Sequence, residues 1–200
     1  MMSHIGQLGH LAILLPASAV LSGLLLWAGR REEAKAFLAA LGLCLVVVLL
    51  AKLVGYACEA RTVLGLGVES PSGHAAVSAV FFGCLALLLG AERPLRQRAS
   101  IYIGAAVLVV LIGLSRVVVE AHTPQDVIAG LVIGTPMIAV FQLLRGPPRI
   151  VPVSLGAVAV GAPVGCALLI AVLWTALHWT PEDLIAAIAP RIGAALGVCG

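Results

Sequence analysis

The stretch AFLAALGLCLVVVLLAKLVGYA, residues Ala36–Ala57, decides the fold. It holds a single charge, Lys52, and its 22 residues exceed the roughly 20 that an α-helix needs to cross a hydrocarbon core. Hydrocarbon offers no partner to backbone N–H and C=O groups, so a segment of this kind satisfies them internally, as a helix. Working outward, five more apolar runs have comparable length: Leu11–Ala28, His74–Ala91, Ala99–Val119, Val127–Leu144 and Val153–Leu177. Strand-like alternation is absent. The chain is 62% hydrophobic and only 10% charged, with mean hydropathy +1.14. A soluble domain does not carry that composition. The reading is an all-α integral membrane bundle of six transmembrane helices, forming one domain over residues 1–200.

The charges orient the bundle. Arg30, Arg31 and Lys35, then Arg93, Arg96 and Arg98, then Arg145 and Arg149 fall in loops on one side. By the positive-inside rule that side is cytoplasmic, which places both termini outward in a bacterial-type inner membrane. Trp27 marks the interface ahead of Arg30. The first run is too long for the core of a signal peptide, with only His4 and His10 before it as potentially basic residues, and is read as a retained span. After the sixth run, which Gly161, Pro163 and Gly165 predispose to kinking, His178-Trp179-Thr180-Pro181 signals another helix start. That short C-terminal segment is expected to lie along the outward interface, with a re-entrant segment as the alternative. The arginine loops lack a basic face with interleaved aromatics, so nucleic acid is not an expected partner; the lipid bilayer is. Cys44, Cys84 and Cys166 sit singly in spans with no metal-ligand spacing, and no cofactor fingerprint is present. Cys58 and Cys199 both fall outward, where a disulfide is permitted.

Against this apolar background the polar residues of the outward side form a pattern. Lys52 lies within a span, where its long side chain either snorkels to the interface or supplies charge to an anion. Arg61 follows in the loop, as a phosphate contact or a solvated charge. Glu69-Ser70-Pro71-Ser72-Gly73-His74 offers two helix starts, at Ser70-Pro71 and at Ser72-Gly73. A helix N-terminus there would present N–H groups to a phosphate with His74 in its first turn; the plainer reading is a capped helix with an incidental histidine. The fourth run ends in Ser115-Arg116, and the fifth begins at Thr123-Pro124-Gln125-Asp126. With Thr123 as N-cap and Pro124 as first helical residue, Asp126 takes the third position and reaches back toward His122. A carboxylate so placed fixes the tautomer of one imidazole and makes its other nitrogen a nucleophile or base. Gly104 and Gly113, and Gly130 with Gly134, have spacings that let helices approach closely.

Pro71-Ser72-Gly73-His74, with Ser115-Arg116, five residues, His122, three residues and Asp126, resembles the type 2 phosphatidic acid phosphatase superfamily, whose second and third motifs read PSGH and SRxxxxxHxxxD. Both are matched at every fixed position, and the resemblance covers about Lys52 to Gly134. It implies a metal-independent hydrolase, without cofactor, acting on a phosphomonoester or diphosphate of a membrane lipid. In it His122 would attack phosphorus, Asp126 would orient His122, and His74 would protonate the leaving oxygen and then activate water. Arg116, Ser72 and Gly73 would hold the phosphoryl oxygens, with Lys52 and Arg61 as further candidates. The first motif departs from the pattern of lysine, six residues, Arg-Pro: the seventh residue after Lys52 is Glu59, and Arg61 is followed by Thr62. A lipid phosphotransferase using the same site, and a catalytically silent lipid-binding or lipid-translocating protein, are the alternatives. The substrate expected is a lipid phosphate such as polyprenyl diphosphate, phosphatidic acid or phosphatidylglycerol phosphate.

Overall fold

The computed structural model describes residues 8–57, 68, 70–91, 93–147 and 165. Among these the chain is helical and contains no strand. Five helices follow in order: α1 (Leu11–Trp27), α2 (Arg31–Ala57), α3 (Gly73–Gly90), α4 (Leu95–Val118) and α5 (Pro124–Leu144). The last four are long and apolar enough to cross a membrane, while α1 is a shorter apolar helix of 17 residues. The sixth span expected at Val153–Leu177, the C-terminal interfacial helix, Arg61, and the cysteines Cys58, Cys166 and Cys199 lie outside the described residues, Gly165 excepted. Gly165 lies against α1, where an added Cβ would come 2.9 Å from both Val20 methyl carbons.

The bundle is organised around α3. Of its residues 67% are buried, against 22–33% for the most apolar stretch of each of the other three long helices, and it packs on all four others. Its first half explains this position: Gly73, Ala75, Ala76, Ser78 and Ala79 are small, so neighbouring backbones approach, and every residue from Gly73 to Phe81 is buried. Phe37, Val77, Val80, Phe81, Cys84 and Phe141 fill the core below, with Phe37 edge-on to Phe81 at 6.2 Å between ring centroids. Large apolar side chains such as Leu50, Val107, Ile128 and Val132 point outward, as a lipid-facing surface requires. Buried hydroxyls return to their own helices: Ser18 Oγ donates to the Leu14 carbonyl at 2.6 Å and Ser115 Oγ to the Ile112 carbonyl at 2.6 Å.

Helix ends set the topology. Gly29, at φ 73°, terminates α1 with its N–H donating to the Leu26 carbonyl and the Arg30 N–H to Leu25, the paired pattern a left-handed residue makes available. Arg30 then pairs with the buried Glu33 at the head of α2. The arginine-bearing turns gather at this end of the bundle. The C-terminal part of α2, the N-terminus of α3, the end of α4 and the start of α5 gather at the other.

Candidate active site

Asp126 is the hub of that second end. Thr123 is the N-cap of α5 and Pro124 its first residue, as their order implies, and the capping box is complete: Thr123 Oγ1 accepts from the Asp126 N–H at 3.2 Å, and Asp126 Oδ2 accepts from the Thr123 N–H at 3.1 Å. The other carboxylate oxygen, Oδ1, accepts from the Ser70 N–H at 3.0 Å, and the Asp126 backbone carbonyl accepts from the Ser72 N–H at 2.9 Å. One residue thus ties the segment before α3 to the head of α5, though the two are more than fifty positions apart in the chain. Asp126 is 3% exposed, so these bonds act where water does not compete.

Of the two helix starts the sequence offers, the structure uses the second. Ser72 is the N-cap of α3, its Oγ accepting from the Ala75 N–H at 3.4 Å, and the helix begins at Gly73. His74 therefore sits in the first turn, 7% exposed, beside N–H groups that precede any intrahelical partner. Lys52 does not snorkel. It is 4% exposed, its Nζ donates to Ser70 Oγ at 3.1 Å, and its stem passes under Gly73, whose added Cβ would meet Lys52 Cε at 4.0 Å. The sequence marks Ser70 as a candidate helix start and not as a partner of Lys52 and Asp126, the role it takes here two residues ahead of the N-cap.

From the other side, α4 ends on Arg116 and a tight reversal brings in His122. The Glu120 N–H donates to the Val117 carbonyl at 3.0 Å, the Ala121 N–H to the Arg116 carbonyl at 3.0 Å, and the His122 N–H reaches the same carbonyl at 3.3 Å. His122 Nδ1 then lies 3.8 Å from Asp126 Oδ2, in the sense that an orienting carboxylate requires, though beyond hydrogen-bond length. The Nε of Arg116 is buried with no hydrogen-bond partner among the described residues, a donor that a phosphoryl oxygen would satisfy. Among the described residues no group of three or more His, Cys, Asp or Glu side chains is placed to hold a metal ion. Arg61 falls outside the described residues, so its relation to the cluster stands as the sequence left it.

The reversal stores a small strain. Glu120 has φ 56°, the left-handed position that glycine takes at such helix ends. Glu120→Gly is expected to keep activity and to slow thermal inactivation in detergent, by up to about 1 kcal/mol, whereas Glu120→Val should cost about 1–2 kcal/mol because a β-branched side chain is forced into that region. Equal inactivation rates for the two variants would refute the strain.

A helical body with four helices of bilayer length, carrying a buried Lys–Ser–Asp–His cluster at one end, defines a membrane-type protein with a buried polar centre. Residues 56–147 match the model of the PAP2 superfamily. The match takes in both complete motifs and starts four residues after Lys52. A Klebsiella pneumoniae protein described as an uncharacterized 22.5 kDa protein in the cps region is 39% identical over 103 residues, covering 48% of this chain and 49% of that protein. The chain thus spans about half the length of the curated relative it matches. No solved structure matches it.

Proposed function

We propose that this protein is a membrane lipid phosphatase that hydrolyses a phosphomonoester or diphosphate through a phosphohistidine at His122. The observation that carries the reading is the convergence on Asp126: its side chain holds the Ser70 N–H and the capping box, lies beside His122, and reaches Lys52 through Ser70. Phosphoryl transfer needs little covalent help but much positioning and positive charge. In this reading the buried Lys52, and Arg116 at the end of α4, supply positive charge to the phosphoryl group while His122 Nε2 makes the attack. In the first half-reaction a P–N bond forms to His122 Nε2 as the P–O bond to the leaving group breaks, and His74 protonates the departing oxygen. In the second, His74 takes a proton from water, the water oxygen attacks phosphorus, and the P–N bond breaks to release phosphate. Arg116, Ser72 and Gly73 contact the phosphoryl oxygens in both. The full proposal places this site on the outward face of a six-span, single-domain inner-membrane protein, with the arginine-bearing turns cytoplasmic.

A groove of about 380 Å³ supports a lipid substrate. It lies between α3, α4 and α5, where α4 and α5 touch only sparsely, and is lined by apolar surface from Ala79, Gly83, Ala105, Val109, Leu131 and Ile138. Ala79 and Leu131 each lie five residues below His74 and Asp126 on their helices, so the groove opens about 8 Å beneath the polar cluster. A phosphate held at the cluster would leave its hydrocarbon chain there. Ala105→Phe is expected to raise KM for a long-chain lipid phosphate about tenfold by displacing one or two methylenes, while leaving a dihexanoyl analogue unaffected. Equal effects on both substrates would remove the groove from the reading.

The test of the reaction is acid-sensitive label trapping. Detergent-solubilised protein mixed with ³²P-labelled phosphatidic acid or polyprenyl diphosphate and quenched within milliseconds should carry base-stable, acid-labile label at His122, and His122→Ala should carry none. Label that passes to an added alcohol rather than to water would make the protein a phosphotransferase. Absence of label and of free phosphate across the lipid panel would leave a lipid-binding protein.

A further inference from the structure

We infer that His10, on a helix without any motif residue, is a positioning residue for His74, an inference that rests on the proposed phosphatase reading. The first helix had no chemistry assigned to it from its sequence, yet its N-terminus reaches the site: the rings of His10 and His74 stand edge to face, 5.1 Å between centroids and 83° between planes. His10 is itself fixed. It is the N-cap of α1, with its carbonyl accepting from the Ile13 and Leu14 N–H groups at 2.8 and 2.9 Å and its side-chain Nδ1 accepting from the Ala12 N–H at 3.2 Å.

That cap is unusual, since serine, threonine, aspartate and asparagine are the residues that caps favour. A histidine serves as acceptor only through an unprotonated nitrogen, so the capping bond defines the ring as neutral with its proton on Nε2. It also sets the direction of the ring, because the bond joins ring to backbone. Two consequences reach His74. A neutral ring does not repel a proton on His74, as a second imidazolium would, and an edge-to-face contact is the arrangement aromatic pairs favour. His74 therefore gains a lateral wall that fixes its ring plane, which a proton donor to a leaving oxygen must hold in direction as well as distance. Asparagine would reproduce the cap without the ring, and phenylalanine the ring without the cap, so the two roles of His10 separate by substitution.

The experiment compares His10→Asn, His10→Phe and His10→Ala in the full chain in detergent, by steady-state phosphate release, by thermal inactivation, and by the NMR shifts of the His74 ring protons. For a positioning role, His10→Asn keeps the native inactivation temperature but loses about tenfold in kcat at unchanged KM, while His10→Phe recovers most of kcat with the lowered inactivation temperature of His10→Ala. The His74 ring signals move in His10→Asn, because the neighbouring ring current is gone. Native kcat and unmoved His74 signals in His10→Asn would overturn the inference and reduce His10 to a cap. If the native chain releases no phosphate, the phosphatase reading is what fails, and the His74 shifts alone then decide whether the ring pairing is real.

Discussion

Asp126→Ala is expected to lower phosphate release by about four orders of magnitude and to cost stability as well. The catalytic part follows from the proposed role. Without a carboxylate beside Nδ1, His122 has no group to fix its tautomer or to stabilise the imidazolium form, and loss of a comparable carboxylate–histidine partnership costs about 10⁴-fold. The structural part follows from the bonds: the Ser70 and Thr123 N–H groups lose their acceptor, at about 1–3 kcal/mol for each buried donor left unpaired. Asp126→Asn separates the two. An amide of the same shape keeps one acceptor oxygen, which serves one of the two N–H groups while its NH2 faces the other, so about half of the lost stability should return; a neutral group does not stabilise a charged imidazole, so activity should not. Phosphate release and inactivation temperature, measured on both variants, check this. If Asp126→Asn turned over at the native rate, Asp126 would be a capping residue and nothing more.

The second large effect is expected from a residue with no chemistry of its own. Gly130→Ala should destabilise the bundle by about 1–3 kcal/mol and reduce turnover about a hundredfold. The Cβ added there would run into the carbonyl oxygen of Ser72 and lie 3.3 Å from its carbonyl carbon, and backbone cannot rotate out of the way as a side chain can. One turn further, Gly134 faces the backbone of Ala76 in the same manner, its added Cβ 3.0 Å from the Ala76 Cα. The helix pushed aside is α3, whose first turn carries Ser72, Gly73 and His74, so a displacement of a fraction of an ångström arrives directly at the site. Gly104→Ala is the control: nothing among the described residues lies within 4 Å of its added Cβ, and the substitution should be neutral or slightly stabilising, since alanine is the better helix former. The spacing of Gly104 and Gly113 led us to expect close approach at both. The structure shows it only at Gly113, which faces a Val127 methyl, while Gly104 lies on the open side of α4. Native activity in Gly130→Ala would mean that the contact between α3 and α5 does not control the site.

Much of this molecule was legible without coordinates, and for physical reasons that are local. Apolar runs of bilayer length must be helices because hydrocarbon offers no other partner for the backbone, and the four long helices coincide with runs in the sequence, α2 and α4 extending about one turn into their polar flanks. The capping box at Thr123–Asp126 was legible because capping depends on neighbours within four residues. The same holds for the approach of His122 to Asp126, which is an i,i+4 relation.

What the tertiary structure alone decided are relations between residues far apart in the chain. A sequence that offers two helix starts, at Ser70 and at Ser72, does not choose between them; the bonds from Asp126 to the Ser70 and Ser72 N–H groups do, because they hold Ser70 outside the helix. An intramembrane lysine has two directions open to it, and burial against Ser70 and Gly73 selects the inward one. His10 carried no signal at all, since a ring set edge to face against a partner 64 positions later leaves no periodicity or spacing to read. Sequence determined the helices and the pair His122–Asp126, whose geometry a few bonds of backbone fix. Packing around α3 determined that this pair, Lys52, the Ser72–His74 turn and His10 meet, because only the close approach of backbones at Gly130 and Gly134 brings those helix ends within reach of one another.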